Sequence, residues 1–311
     1  MHTATPSNAP QQARMVELLK RLAPGEGYTR STLDDVLLMR ANRPLVSTPA
    51  LYQPGIVIVV QGCKRGFHAG HTYVYDARHY LVVSVPLPFE VETEASEARP
   101  LLGLIVHIDP TVVAELAMGV DTFEPQSRPN PATLYATPMD AKLADATLRL
   151  LEALDSPVEA RLLGPSIVRE INYRVLVGEQ GGGLRAALSR DGHFGRIARV
   201  IQRIHDHYPS HLDVATLAHE ASMSVPAFHV HFKSVTNNSP LQYIKAIRLH
   251  QARLLMIRSS LNAVTAAERV GYESASQFSR EFKRLFGRSP VEEVRHLKDV
   301  MALTEPTPTG P

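Results

Sequence analysis

The chain has 311 residues, 44% hydrophobic and 21% charged, with no Trp, which suits a two-domain globular protein and excludes a low-complexity chain. Its single cysteine, Cys63, excludes an internal disulfide framework and a multi-Cys zinc site, and fits a reducing cytosol. The net charge of +2 hides an asymmetry: residues 193–298 carry 15 Lys/Arg against 8 Asp/Glu, net +7, while residues 1–192 are net −3.

Residues 1–10 show no hydrophobic pattern and read as disordered. The start, MHTATPSNAPQQ, has no apolar stretch, so no signal peptide and a cytoplasmic protein are expected. Residues 13–22 predict a short helix. From about residue 48 the pattern changes to strands: PALYQPGIVIVVQG, TYVYDARHYLVVSVPLPFEVET and RPLLGLIVHIDP. Val and Ile are dense, Pro and Gly punctuate, and no helical period appears. Such a cluster predicts a β-sandwich or small barrel. The longest purely aliphatic run, residues 56–60, is far short of the ~20 residues of a membrane span.

Residues 112–118 read as a helical turn or two, and the Pro-rich residues 120–138 as a loop. Residues 140–154 place Leu143, Ala146, Leu150 and Leu154 on one helical face. Pro157 opens another helical segment, which Pro165 is expected to kink or divide and which Gly181, Gly182 and Gly183 end. These segments link the two halves and are a candidate subunit contact.

The last third states one pattern twice. AFHVHFKSVTNNSP from Ala227 and QFSREFKRLFGRSP from Gln277 agree, fifty residues apart, at Phe228/Phe278, Phe232/Phe282, Lys233/Lys283 and Ser239-Pro240/Ser289-Pro290. Before the first copy, Ile197, Val200, Ile201 and Ile204 make the stripe of a packing helix. Asp213 is a candidate N-cap for LDVATLAHEA, and Ser224, with Pro226 in the first turn, for the next helix. Ser239 caps again before a connecting helix of about 20 residues, ~30 Å long.

A duplicated helix-break-helix with a basic second helix predicts a two-module reader of double-stranded DNA, the connecting helix being close to the ~34 Å repeat of B-DNA. The Phe pairs are core anchors. That leaves Pro226, Ala227, His229, Val230 and Lys233 outward in the first module, and Ser276, Gln277, Ser279, Arg280 and Lys283 in the second. Gln and Arg pair with adenine and guanine edges, whereas Lys233, Lys283, Arg284 and Arg288 suit phosphates. A solvated charged face would also explain the +7; the repeat favours DNA.

LAHEASMSVPAFHVHFKSVTNNSPLQYIKAIRLHQARLLM followed by AAERVGYESASQFSREFKRLFGRSP resembles the DNA-binding domain of the AraC/XylS family of transcription regulators. The resemblance implies two helix-turn-helix modules in the major groove around a rigid linker helix. It gives Arg280 the recognition-helix role, places Gln277 before the anchoring aromatic, and gives Arg248 a structural role. One departure is Val230, which stands where the first-module counterpart of Arg280 would fall; that module then binds more weakly or reads a thymine methyl.

The front half, above all YDARHYLVVSVPLP, is similar to the N-terminal domain of one AraC-type subgroup, implying a cupin-like β-barrel that senses a small molecule or contacts a partner. The fold expected is α+β multidomain. It comprises an arm (1–28), a cupin-like regulatory barrel (29–130), a helical connector and dimerisation element (131–190), a double helix-turn-helix domain (191–298) and a disordered tail (299–311). The resemblance also implies activation through RNA polymerase, although some members repress.

Neither an enzyme nor a cofactor is expected. Cupin enzymes hold a metal on two His one residue apart with a Glu; here His68 and His71 are three apart, and His79 and His107 are isolated. Cys63, next to Lys64 and Arg65, is a candidate sensing thiol, since cations lower a thiol pKa; an ordinary half-buried Cys is the alternative. Cys63, His68, His71 and His79 are thus the weak effector candidates, the effector itself being unidentified. The competing readings are a metal-dependent cupin enzyme fused to a DNA-binding module, and an architectural DNA binder without effector. Dimerisation is expected through the front half, whose connector is richer in Leu, Ile and Val than a lone linker needs.

Overall fold

The computed structural model describes residues 9–123, 132–178, 180–188 and 192–302. Helix α1 (Ala9–Leu22) precedes β1 (Gly27–Arg30), β2 (Val36–Ala41), β3 (Leu45–Tyr52), β4 (Gly55–Gln61), β5 (Cys63–His68), β6 (His71–Asp76), β7 (His79–Val83), β8 (Leu87–Glu94) and β9 (Leu101–His107). Then follow α2 (Pro110–Phe123), β10 (Leu134–Pro138), α3 (Ala141–Leu154), α4 (Pro157–Val177) and α5 (Gly182–Leu188). The basic third is helical: α6 (His193–His207), α7 (Val214–Glu220), α8 (Val225–Thr236), α9 (Pro240–Arg258), α10 (Ala263–Arg269), α11 (Ala275–Phe286) and α12 (Pro290–Ala302).

The strands form one curled antiparallel sheet in the order β1-β2-β9-β4-β7-β6-β5-β8-β3, with β10 on β7. Strand β4 explains its own sequence. Ile56, Ile58 and Val60 point into a core shared with α1, α3 and α4, while Val57 and Val59 point into the core on the concave face. With both faces covered, the strand reads as an unbroken aliphatic run instead of an alternation. Its neighbour β9 needs Gly103, because a Cβ there would stand 2.4 Å from the Ile58 carbonyl oxygen and 2.7 Å from Met39 Cε. The β5–β6 hairpin turns on Ala69 and Gly70, both at positive φ, a turn whose twist matches the flanking strands.

Several expectations are corrected. The sheet begins at Gly27 rather than near residue 48, and β10 occupies part of the stretch read as a loop and extends the sheet past residue 130. Pro165 does not divide α4, which runs unbroken through it; packing of Ala160, Ile167, Ile171 and Val175 holds it together. The two-turn element after β9 is the 14-residue α2, and α12 extends into the stretch expected to be a disordered tail. Of the disorder expected for residues 1–10 and 299–311, residues 9–10 instead begin α1, and residues 1–8 and 303–311 fall outside the described residues.

The helical third is docked on the sheet. The Tyr243 hydroxyl on α9 donates to the Pro86 carbonyl at 2.6 Å, Thr133 Oγ1 to the Val235 carbonyl on α8 at 2.7 Å, and Arg253 Nη2 to the Pro49 carbonyl at 3.0 Å. Val85 enters the core of the first helical module. Helices α9 and α11 both touch β3, which ends the sheet on that side and so has a free edge to cover.

Candidate nucleic-acid interface

The repeat in sequence is a repeat in backbone. In α7–α8, Asp213 accepts from the Thr216 amide and Ser224 from the Ala227 amide; in α10–α11, Asn262 accepts from Thr265 and Ser274 from Gln277. Each second helix ends on a left-handed residue fifty apart, Asn237 at φ 56° and Gly287 at φ 77°, whose amide returns to the carbonyl of Lys233 or Lys283. Ser239 with Gln242, and Ser289 with Glu292, then close reciprocal caps on α9 and α12. Each cap satisfies amides that a helix start leaves orphaned.

The anchors are buried. Phe228, Phe232, Phe278 and Phe282 have no exposed surface. Their rings lie 5.4 Å apart in α8 and 5.5 Å apart in α11, one turn along each helix. Opposite them, Pro226, His229, Val230 and Lys233 on α8 are exposed, and Ala227 is half-buried. On α11, Ser276, Gln277, Arg280, Lys283 and Arg284 are exposed and Ser279 is half-buried; Arg288 is exposed just beyond it. Val230, at 67% exposure, is an apolar group on the outer face of α8, where α11 carries Arg280. Lys283, Arg288, Arg295 and His296 border a shallow depression that also includes Glu292.

Glu281, unnoticed in the sequence, organises the outer face of α11. It accepts from Lys245 Nζ at 2.7 Å, the Tyr272 hydroxyl at 2.7 Å and Gln277 Nε2 at 3.2 Å. Burial raises the carboxyl, but these donors outweigh it and hold its pKa below the usual range. Gln277 is therefore pre-positioned from one turn away. The i,i+4 spacing of Gln277 and Glu281 is the signal that would have found the pair.

Arg248 has the structural role its resemblance implied. Its guanidinium donates to the carbonyls of Tyr208 and Ser210 at 2.8 Å and of Gly271 at 3.0 Å, fastening the end of α6 to the turn between α10 and α11. Gly271 sits at φ +82°, and a Cβ there would stand 2.2 Å from the Pro209 carbonyl oxygen, so the turn requires glycine.

The weak effector candidates do not converge. His68 and His71 face one another across the β5–β6 hairpin, and His79 Nδ1 lies 3.1 Å from Asp76 in the next turn. His107 ends β9. Among the described residues no three His, Cys, Asp or Glu side chains come together in a way that could hold a metal. The two cations next to Cys63 are engaged elsewhere. Lys64 points inward, and Arg65 pairs outward with Glu94 at 2.5 Å. Burial and then Glu94 push the Cys63 thiol up, against a smaller opposing effect of Arg65.

Residues 32–183 match the family model described as the AraC-type transcriptional regulator N-terminus, and residues 217–296 one described as a helix-turn-helix domain. The HTH-type transcriptional regulator AlkR of Acinetobacter baylyi is 35% identical over 94 residues, 30% of this chain and 31% of that protein. The RCS-specific HTH-type transcriptional activator RclR of Escherichia coli is 38% identical over 98 residues, 31% of this chain and 34% of that protein. The chain thus spans about a third of the length of the curated relatives it matches. These relatives are transcriptional regulators, not enzymes. Among solved structures, apo ToxT from Vibrio cholerae shares the fold with a TM-score of 0.57 at 12% identity, over 86% of this chain and 99% of that one. ToxT with an unsaturated fatty acid bound gives 0.57 at 13% identity, over 86% and 97%.

Proposed function

The chain belongs to the AraC/XylS family of transcriptional regulators, and on that premise we propose that it is a sequence-specific DNA-binding regulator, an effector-responsive activator that reads two successive major grooves. The observation that carries this is the pair of equivalent helices α8 and α11, each anchored by buried Phe and each turning its polar and basic side chains to solvent. Arg280 and Gln277 are the base-reading residues, Lys233, Lys283, Arg284 and Arg288 the phosphate contacts, and Val230 an apolar contact to a thymine methyl. Activation through RNA polymerase is supported by RclR, which is named an activator. A small-molecule effector is supported by the fatty acid bound to ToxT, the same fold.

A homodimer through α4 fits its surface. Val158, Leu162 and Leu163 are 66%, 73% and 52% exposed, and Tyr173 adds a fourth apolar group further along the helix. No described helix is long and apolar enough to cross a membrane, and a cytoplasmic site of action follows from the DNA-binding role.

The test is genome-wide footprinting with the full chain, followed by gel shifts on a recovered site. Arg280→Ala is expected to weaken retention at least tenfold, consistent with the ~1–3 kcal/mol of a paired base contact, and Val230→Arg to tighten it. Unchanged retention for Arg280→Ala overturns the base-reading assignment. Salt-dependent binding with no sequence preference would make the protein an architectural binder.

A further inference from the structure

The concave face of the sheet is filled by its own side chains: Tyr75, Leu81 and Leu87 are fully buried there, with Tyr52 and Phe89 in edge contact. A cleft of about 520 Å³ lies instead where the β1–β2 turn and the β9–α2 junction meet the middle of α4. Its size is that of small-molecule sites. Close approach shapes it: a Cβ on Gly164 of α4 would stand 2.6 Å from Leu33 Cδ1 in the β1–β2 turn.

Asn172 of α4 lines this cleft and is 1% exposed. Its amide nitrogen donates to the Val168 carbonyl at 2.9 Å. A carbonyl only accepts, so the amide cannot be turned around. Oδ1 is left as a buried acceptor with no partner, a costly arrangement that native interiors rarely leave unanswered. The missing group must be a hydrogen-bond donor.

The charge around the cleft says what kind. Asp34, Asp35 and Asp109 line it and are exposed. Arg169 also lines it, but its guanidinium donates to Glu115 at 3.0 Å. Asp109 spends one oxygen on the Thr111 amide at 2.7 Å. Among the described residues these groups do not form a metal-holding cluster, and Leu33, Val112, Pro165 and Val168 give the cleft apolar walls. An organic cation that carries N–H donors answers the orphaned acceptor, the negative charge and the apolar walls together.

We propose that this cleft binds a small primary amine with an apolar body, its ammonium donating to Asn172 Oδ1 in the negative field of Asp34, Asp35 and Asp109. As the effector site it rests on the effector-responsive reading above; as a binding site it does not. The position suits a signal, because the cleft joins the sheet to α4, the helix that carries the exposed apolar face.

The test is isothermal titration of the full chain with phenethylamine, with phenethyl alcohol as a donor without charge, and with phenylacetate as the opposite charge. Phenethylamine is expected to bind, the alcohol at least tenfold more weakly, and phenylacetate not at all. Asn172→Leu is expected to lose at least tenfold in amine affinity with its thermal midpoint unchanged or raised. Should that variant not fold, Asp34→Asn with Asp35→Asn, at exposed positions, is expected to lose affinity severalfold. No amine binding up to roughly 10 mM, where even millimolar affinity would register, overturns the proposal. So does phenylacetate binding as tightly as the amine, or unchanged affinity in the folded variants. Gel shifts on the same preparations separate the two readings: DNA retention without amine binding removes the cleft and leaves the DNA reader, and the converse removes the DNA reader alone.

Discussion

Replacing Lys64 by Met should stabilise the protein at neutral pH by an amount that fades in alkali. Lys64 is 7% exposed, and its amine donates to Thr93 Oγ1 at 3.0 Å, with no carboxylate partner among the described residues. Burial lowers its pKa from 10.5 to about 8. At about 1.4 kcal/mol per pKa unit, the folded state bears ~3 kcal/mol below pH 8 for holding the charge out of water. Met of similar length removes that penalty. It leaves Thr93 Oγ1 short of a partner, at a cost of ~1 kcal/mol, so the net gain is ~2 kcal/mol at pH 7. The sign with pH follows from the depressed folded value. Between about pH 8 and 10.5 the unfolded chain holds the proton and the folded chain does not, so wild-type stability rises with pH in that window. The advantage of Lys64→Met therefore shrinks across it and turns slightly negative above. Urea unfolding of both proteins at pH 7, 9 and 10.5 measures the difference, in which the other titrating groups cancel. A variant less stable than wild type at pH 7, or a difference independent of pH, would refute the reasoning.

Tyr243→Phe should leave the Pro86 carbonyl and His205 short of a partner, costing ~1–3 kcal/mol. Amide exchange in α9 and around Pro86 should quicken together, because the hydroxyl is shared between the sheet and the helical domain. Burial lowers the His205 pKa from 6.5 to about 4, so its neutral form supports stability that is present above pH 6.5 and lost as pH falls toward 4; His205→Gln should flatten the acid limb of a thermal-midpoint profile there. Arg248→Met should cost at least about 2 kcal/mol through the loss of charge-assisted bonds to carbonyls, measured by thermal unfolding. Arg248→Lys should not restore it, since an ammonium lacks the planar fork that reaches Tyr208, Ser210 and Gly271 together.

The helical domain was legible because its signals are local. Ser224-Val225-Pro226 and Ser239-Pro240 state their caps within four residues, and the fifty-residue repeat ties Phe228 to Phe278 whatever lies between. In the sheet, β4 was legible because its aliphatic run serves two cores. Strand β10 was not: LYATP sits among prolines, and only its pairing with β7 makes it a strand. Cys63 was misread for a related reason. Neighbours in sequence alternate faces on a strand, so Lys64 turns away from the thiol, while Arg65, on the thiol's own face, is paired with Glu94. Asn172 gave no signal, since an orphaned acceptor is defined by what surrounds it.

The docking of the helical domain constrains how a signal could reach DNA. Tyr243 and Arg253 fasten α9 to the sheet, Thr133 fastens α8, and α11 touches β3. Yet His229, Val230, Gln277 and Arg280 stay exposed in this docked state. Occlusion of these side chains by the sheet is therefore not the means of control within one chain. What docking does fix is the linker. Helix α9 packs in the cores of both modules, through Tyr243, Ile244 and Ile247 on one side and Leu249, Ala252 and Met256 on the other, and through Arg248 it ties α6 to the second module. Because α9 sets the relation of α8 to α11, a change at Pro49 or Pro86 would act on their spacing or freedom rather than on their accessibility. The effect of Tyr243→Phe on DNA separates these cases: altered affinity for a two-groove site with unaltered affinity for half of it is the result that a linker-borne signal requires.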